Sequence, residues 1–173
     1  MDNQTVRLPF PEYDQISGVG YLHQKSVGET FSLHCHDFYE IFYVPSGKAI
    51  HHINGYSEII TAGTLEFIRP DDTHRYSFLN RYDMELISIG IEKSMMEEIL
   101  LYLDLQIEHL LDGNMPGKTV FSGISEMEIR HLITSIGQKA PGSERKIYAK
   151  ALMPLLLHTV YNEEKTENRF IPQ

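Results

Sequence analysis

The chain has 173 residues, 42% hydrophobic and 23% charged, with a formal charge of −9, which fits one globular domain and excludes general disorder. Residues 1–91 carry six Lys/Arg against twelve Asp/Glu, and residues 92–173 nine against twelve, so neither half has the basic stripe needed to grip a phosphate backbone or an anionic membrane. No apolar run approaches the ~20 residues of a bilayer span, the N-terminus lacks the pattern of a secretory leader, and the single cysteine, Cys35, excludes an internal disulfide framework; the expected compartment is the cytoplasm.

The first half reads as short strands over 18–23, 30–33, 38–44, 48–53, 56–61, 64–68, 74–78 and 84–91, divided by turn residues. Pro45-Ser46-Gly47 reads as a turn. Asn54-Gly55 predicts a type I′ hairpin, because both central residues of that turn need φ > 0. This punctuation is that of a sandwich or barrel. The second half changes period. Met95, Met96, Ile99, Leu100 and Leu103 mark one face of a helix over 92–103. Asp112–Gly117 breaks the pattern, and Ser125 with Glu128 fits a capping box opening a helix over 126–139. Pro141-Gly142 ends it, and Ser143 caps a long helix over 144–161, which Pro154 should kink. The polar tail 162–173 is expected to fray.

The chemistry concentrates in Gly28–Gly47. His34, His36 and Glu40 share parity, so in extended structure they point to one face. Two imidazoles and a carboxylate form an N,N,O set suited to a divalent transition metal; a metal-free polar network is the alternative. Cys35 has the opposite parity. Phe38 falls on the ligand face, and Tyr39 and Tyr43 on the other. His23 is a further candidate beside the site, and Tyr76 a further aromatic wall residue. Arg69, flanking Pro70, is placed to meet an anionic ligand. At most one of His51 and His52 points inward, and neither is assigned a ligand role.

Gly28, His34, His36, Glu40 and Gly47 occupy every fixed position of the first cupin motif, G-x5-H-x-H-x3-E-x6-G. The second cupin motif, G-x5-P-x-G-x2-H-x3-N, is matched by Gly63 and His74, with Pro70 displaced by one, Asp72 not in the Gly position and Phe78 in place of Asn. The resemblance implies that His74 completes the metal site with His34, His36 and Glu40, the ion being Zn, Ni, Fe or Mn. It implies a mainly β fold with helices: a jelly-roll barrel over 1–91, followed by a helical dimerisation segment over 92–173.

More narrowly, His36–Gly47 and Gly63–His74 resemble the corresponding strands of AraC-family sensor domains. That resemblance implies a small-molecule effector, by family habit a carbohydrate, held near Phe38, His23, Tyr76 and Arg69. It also implies a homodimer through the C-terminal helices. A helix-turn-helix DNA-binding domain is expected beyond residue 173, with no nucleic-acid or membrane contact by the residues present and no enzymatic activity. The alternative is a stand-alone metal-dependent cupin enzyme, a dioxygenase or isomerase.

Overall fold

The computed structural model describes residues 5–10, 16–106, 111 and 116–167. In chain order the strands are β1 (Val6–Leu8), β2 (Leu22–Gln24), β3 (His34–His36), β4 (Tyr39–Ile53), β5 (Tyr56–Thr61), β6 (Thr64–Ile68), β7 (His74–Phe78) and β8 (Met84–Ile91). Helix α1 (Lys93–Tyr102), strand β9 (Lys118–Val120) and helices α2 (Gly123–Gln138) and α3 (Ser143–Glu167) follow. Among the described residues no helix is long and apolar enough to cross a membrane.

The strands form two walls that share β4. One wall runs β1-β3-β7-β4-β5 and the other β2-β8-β4-β6-β9. Residues 39–47 of β4 pair with β8 and partly with β6, and residues 48–53 with β5 and β7. Pro45-Ser46-Gly47 is therefore a corner inside one 15-residue strand, not a turn between two. A bulge between Tyr43 and Ser46 re-aims the strand. The expected hairpin is present: Asn54 and Gly55 have φ of 48° and 84°.

Alternation along β4 separates two cores. Tyr39, Ile41 and Tyr43 face outward with Leu65, Phe67, Ile87, Ile89 and Ile91, and meet Met95, Ile99, Ile133 and Leu152 of the helices. Phe42 and Val44 face the barrel interior with Ile53, Ile68, Tyr76 and Leu86. The helices thus lie on the outside of the second wall. The boundary expected at 91 coincides with the end of β8, but β9 returns to the barrel edge beside β6, and one core joins barrel and helices.

Some boundaries differ from the sequence reading. The stretch 30–33 forms no strand; Ser26 caps a 3-10 turn over Val27–Glu29 and the sheet resumes at His34. Ser125 lies within the first turn of α2, whose N-cap position is Ser122. The Glu of that first turn, Glu126, accepts a hydrogen bond from Tyr43 Oη at 2.7 Å, so tertiary contact sets the helix start. Helix α3 extends to Glu167, into the stretch expected to fray, and contains Pro154. Most of the break at 112–117 and the last six positions, 168–173, lie outside the described residues.

The corner requires Gly47. Its φ is +84°, and an added Cβ would stand 2.1 Å from the Asp83 carbonyl oxygen. Gly55 has the same φ with nothing within 4 Å. Gly55→Ala should therefore lose only the left-handed penalty, about 1–2 kcal/mol, and Gly47→Ala at least about 3 kcal/mol. Urea denaturation of the two variants checks this; equal losses would contradict a backbone clash at the corner.

Candidate functional site

His34 and His74 are direct cross-strand partners on β3 and β7. The pleat puts both on the interior face, with ring centroids 4.2 Å apart. His36, two residues along β3, shares that face. The chain then bends at Asp37–Phe38, and Glu40 enters from the other wall, where it pairs with Ile68 and Gly90. The convergence expected from shared parity occurs, but across the barrel and not along one strand. Relative exposures are 4% for His34, 1% for His36, 7% for Glu40 and 0% for His74.

Backbone carbonyls orient two of the imidazoles. His34 Nδ1 lies 2.8 Å from the Ser32 carbonyl oxygen, and His36 Nδ1 2.7 Å from that of Phe38. A carbonyl only accepts, so each Nδ1 donates, leaving a lone pair on Nε2 of the neutral ring. His36 Nε2 stands 3.0 Å from Glu40 Oε2, and His74 Nε2 3.8 Å from it. Ligand atoms of His34, Glu40 and His74 all lie within 4.8 Å of one another. Both ring nitrogens of His74 are buried without a hydrogen-bond partner, and His36 Nε2 has none but the facing Glu40 oxygen. Orphaned buried nitrogens are uncommon and call for a proton, a water or an ion. The His34, Glu40 and His74 donors lie close enough together to suit a divalent transition metal, while His36 approaches Glu40 alone and would have to shift to join them.

The electrostatics agree with a ligand-competent set. Burial alone would raise the Glu40 carboxyl, but the His36 and His74 rings hold it down to about 2. Burial pushes His74 down to about 3, with the facing Glu40 opposing. Burial also lowers His34. His36 is the exception: burial lowers it, but hydrogen bonding and charge from Glu40 outweigh that and raise it.

The four side chains form the floor of a cavity of about 270 Å³. Its wall is mostly apolar: Leu8, Tyr21, Leu22, Phe31 and Phe38, with Tyr76 deeper in. Phe38 stacks on His36, with centroids 4.3 Å apart and planes at 14°. The Tyr76 hydroxyl is buried without a partner. Phe38 and Tyr76 are thus at the cavity, as expected. His23 is not: it is exposed and pairs with Ile87, while its neighbours Leu22 and Gln24 pair with Ser88 and Leu86 and face inward. Register on β8 decides this and was not legible at β2. Arg69 is not at the cavity either. It is buried and folds back on Asp72, donating from its backbone N at 2.8 Å, Nε at 3.0 Å and Nη2 at 2.9 Å.

The sequence reading missed the cavity roles of Leu8, Tyr21 and Ser88. Ser88 and Gly90 interrupt the apolar run of β8 at the interior parity, a signal that was available. It also missed His51, which is fully buried in the barrel, its ring stacked on Tyr76 at 4.9 Å and 5.8 Å from the ring of His74.

Residues 18–152 match the model of the AraC-like ligand binding domain. The chain belongs to this family. The transcriptional activator RhaS of Escherichia coli (strain K12 / DH10B) is 28% identical over 144 residues, 80% of this chain and 51% of that protein. RhaS of Salmonella heidelberg is 29% identical over the same share of each. The chain therefore spans about half the length of these curated relatives. ToxT from Vibrio cholerae shares the fold, with a TM-score of 0.56 at 14% identity, over 84% of this chain and 56% of that one. The fold is a jelly roll carrying helices, and the domain is a ligand-binding one whose matched relatives are transcriptional activators.

Burial of His74 sets a pH dependence for the metal-free domain. The unfolded chain protonates this ring near pH 6.5, the fold only near about 3. The unfolded state thus binds more protons in that window, and the His74 contribution to stability falls as pH drops below 6.5. His36 works oppositely: its folded value is raised, so its contribution is full below 6.5 and fades as pH rises through that value. Between pH 6.5 and 5, wild type should lose about 1–2 kcal/mol more than His74→Gln. Urea denaturation in chelator checks this; parallel pH profiles would contradict it.

Proposed function

We propose that this is the effector-sensing domain of a transcription regulator, holding a divalent transition metal in His34, His36, Glu40 and His74 at the floor of an apolar cavity. The observation that carries the reading is the set of buried, orphaned imidazole nitrogens turned on Glu40 at the base of a cavity in an AraC-like ligand binding domain. A metal held there, Zn, Ni, Fe or Mn, supplies Lewis acidity toward effector oxygens. The protein's own groups do the rest: Phe38 presents a ring face, Leu8, Leu22 and Phe31 exclude water, and backbone carbonyls keep the His34 and His36 rings oriented.

The lining narrows the effector. The cavity is at the small end of ligand pockets, which favours a molecule of about one ring. Polar groups gather at the floor, and the wall offers few partners for a hydroxyl. A carbohydrate fits by laying its apolar ring face on Phe38 and directing oxygens to the floor. The lining favours an effector of that amphipathic kind over one polar on all sides.

The readout runs through the helices. Tyr21 lines the cavity, and an added Cβ on Gly137 of α2 would lie 2.3 Å from its ring. An effector that prefers one position of Tyr21 therefore prefers one position of α2, which is the differential contact a switch requires. On α3, Ile147, Ala151 and Leu155 stand exposed at four-residue spacing, a stripe that supports the homodimer reading. A sedimentation mass of one chain at micromolar concentration would contradict it. In this reading the whole regulator binds promoter DNA in the cytoplasm through a separate helix-turn-helix unit.

A thermal-shift panel of monosaccharides and aryl carboxylates, run with and without chelator, tests the effector site. A true effector should bind at least tenfold more weakly to Phe38→Ala and lose its stabilisation when metal is removed. Stabilisation unchanged by both treatments would contradict the site.

A further inference from the structure

A second group of ligating side chains lies inside the same barrel. His51 on β4 and Glu58 on β5 are cross-strand partners, and Glu66 on β6 approaches from the other wall. His51 is 0% and Glu66 1% exposed. His51 Nδ1 stands 3.2 Å from Glu66 Oε2 and 3.8 Å from Glu58 Oε1. Donor atoms of the three residues lie within 4.8 Å of one another.

Two features point to an ion at this place. The first is an oxygen left over. Lys118 on β9 pairs with Oε2 of Glu58 at the rim, while Oε1 is turned inward, buried and without a hydrogen-bond partner. The second is charge. Glu58 and Glu66 outnumber the one lysine, and burial holds the Glu66 carboxyl up unless a positive partner joins it. A proton on His51 supplies the charge but serves Glu66 alone as a close partner, leaving the Glu58 oxygen unsatisfied. A cation between the three serves all of them. Ligands about 2.0–2.2 Å from one ion sit about 3.0–3.5 Å from each other, so the His51–Glu66 separation already matches, and Glu58 has to move inward to close on both.

We propose that His51, Glu58 and Glu66 form a second divalent-cation site, separate from the one at the cavity floor. One imidazole and two carboxylates make a harder donor set than three imidazoles and one carboxylate, so it selects ions such as Mn²⁺ or Zn²⁺. The site lies beside the first, since the His51 and His74 rings are 5.8 Å apart, and its rim lysine sits on the strand that leads into α2. It does not depend on the effector reading.

The test is metal stoichiometry on the whole chain, stripped with chelator and dialysed against Mn²⁺ or Zn²⁺, with content measured by plasma mass spectrometry. Wild type should hold two equivalents. Glu66→Gln, nearly isosteric, should retain one, and His34→Ala with His74→Ala should retain the other. If Glu66→Gln does not fold, Glu58→Gln at the partly exposed rim serves in its place and should also lose one equivalent. Wild-type content in the folded glutamine variant overturns the proposal, whether that content is one or two. One equivalent lost only on changing His34 and His74 overturns this site and leaves the floor site standing; no metal in any protein overturns both.

Discussion

The interior of this barrel is built around burying ionisable groups that do not neutralise one another by hydrogen bonds alone. Glu40 is almost wholly buried and is held far below the usual carboxylate range by the His36 and His74 rings, with Ser88 adding a hydrogen bond. Burying an unpaired carboxylate costs several kcal/mol, so the histidines and Glu40 must arrive together or not at all. This constraint accounts for why β3, β4 and β7 meet where they do. A fold that placed His34 and His74 out of register by one residue would turn one of them outward and leave the other facing Glu40 alone.

Strand β4 makes that meeting possible. Its first half belongs to the wall that carries the helices and its second half to the wall that carries the histidine pair. Gly47 turns the corner where no side chain fits. The outward face of its first half, Tyr39, Ile41 and Tyr43, is the seat of the helical layer, while the inward face supplies Glu40 and Phe42. One strand thus connects the cavity floor to the surface on which α1 to α3 pack, and Tyr21 makes the same connection at the cavity wall.

Much of this was legible in the residue pattern, and the misses have physical causes. The cupin spacing brought His34, His36, Glu40 and His74 to one list; His34, Glu40 and His74 converge, and His36 stands beside Glu40. The parity argument reached that answer although the strand it assumed is interrupted at Asp37–Phe38, because the bend and the change of wall leave Glu40 facing the same interior. His23 and Arg69 were misplaced for different reasons. At His23 the facing side is set by register against β8, information that lies some sixty residues away. At Arg69 a local carboxylate, Asp72, captures the guanidinium before any ligand does. Glu66 was the overlooked clue: a carboxylate at an interior position of an otherwise buried strand needs a partner, and His51 is that partner.

The most direct test of the central claim is crystallographic. Crystals grown with zinc and measured across the zinc absorption edge should show anomalous density enclosed by His34, His36, Glu40 and His74. No such peak there, with His36 instead bonded to Glu40 through a proton, would contradict the account.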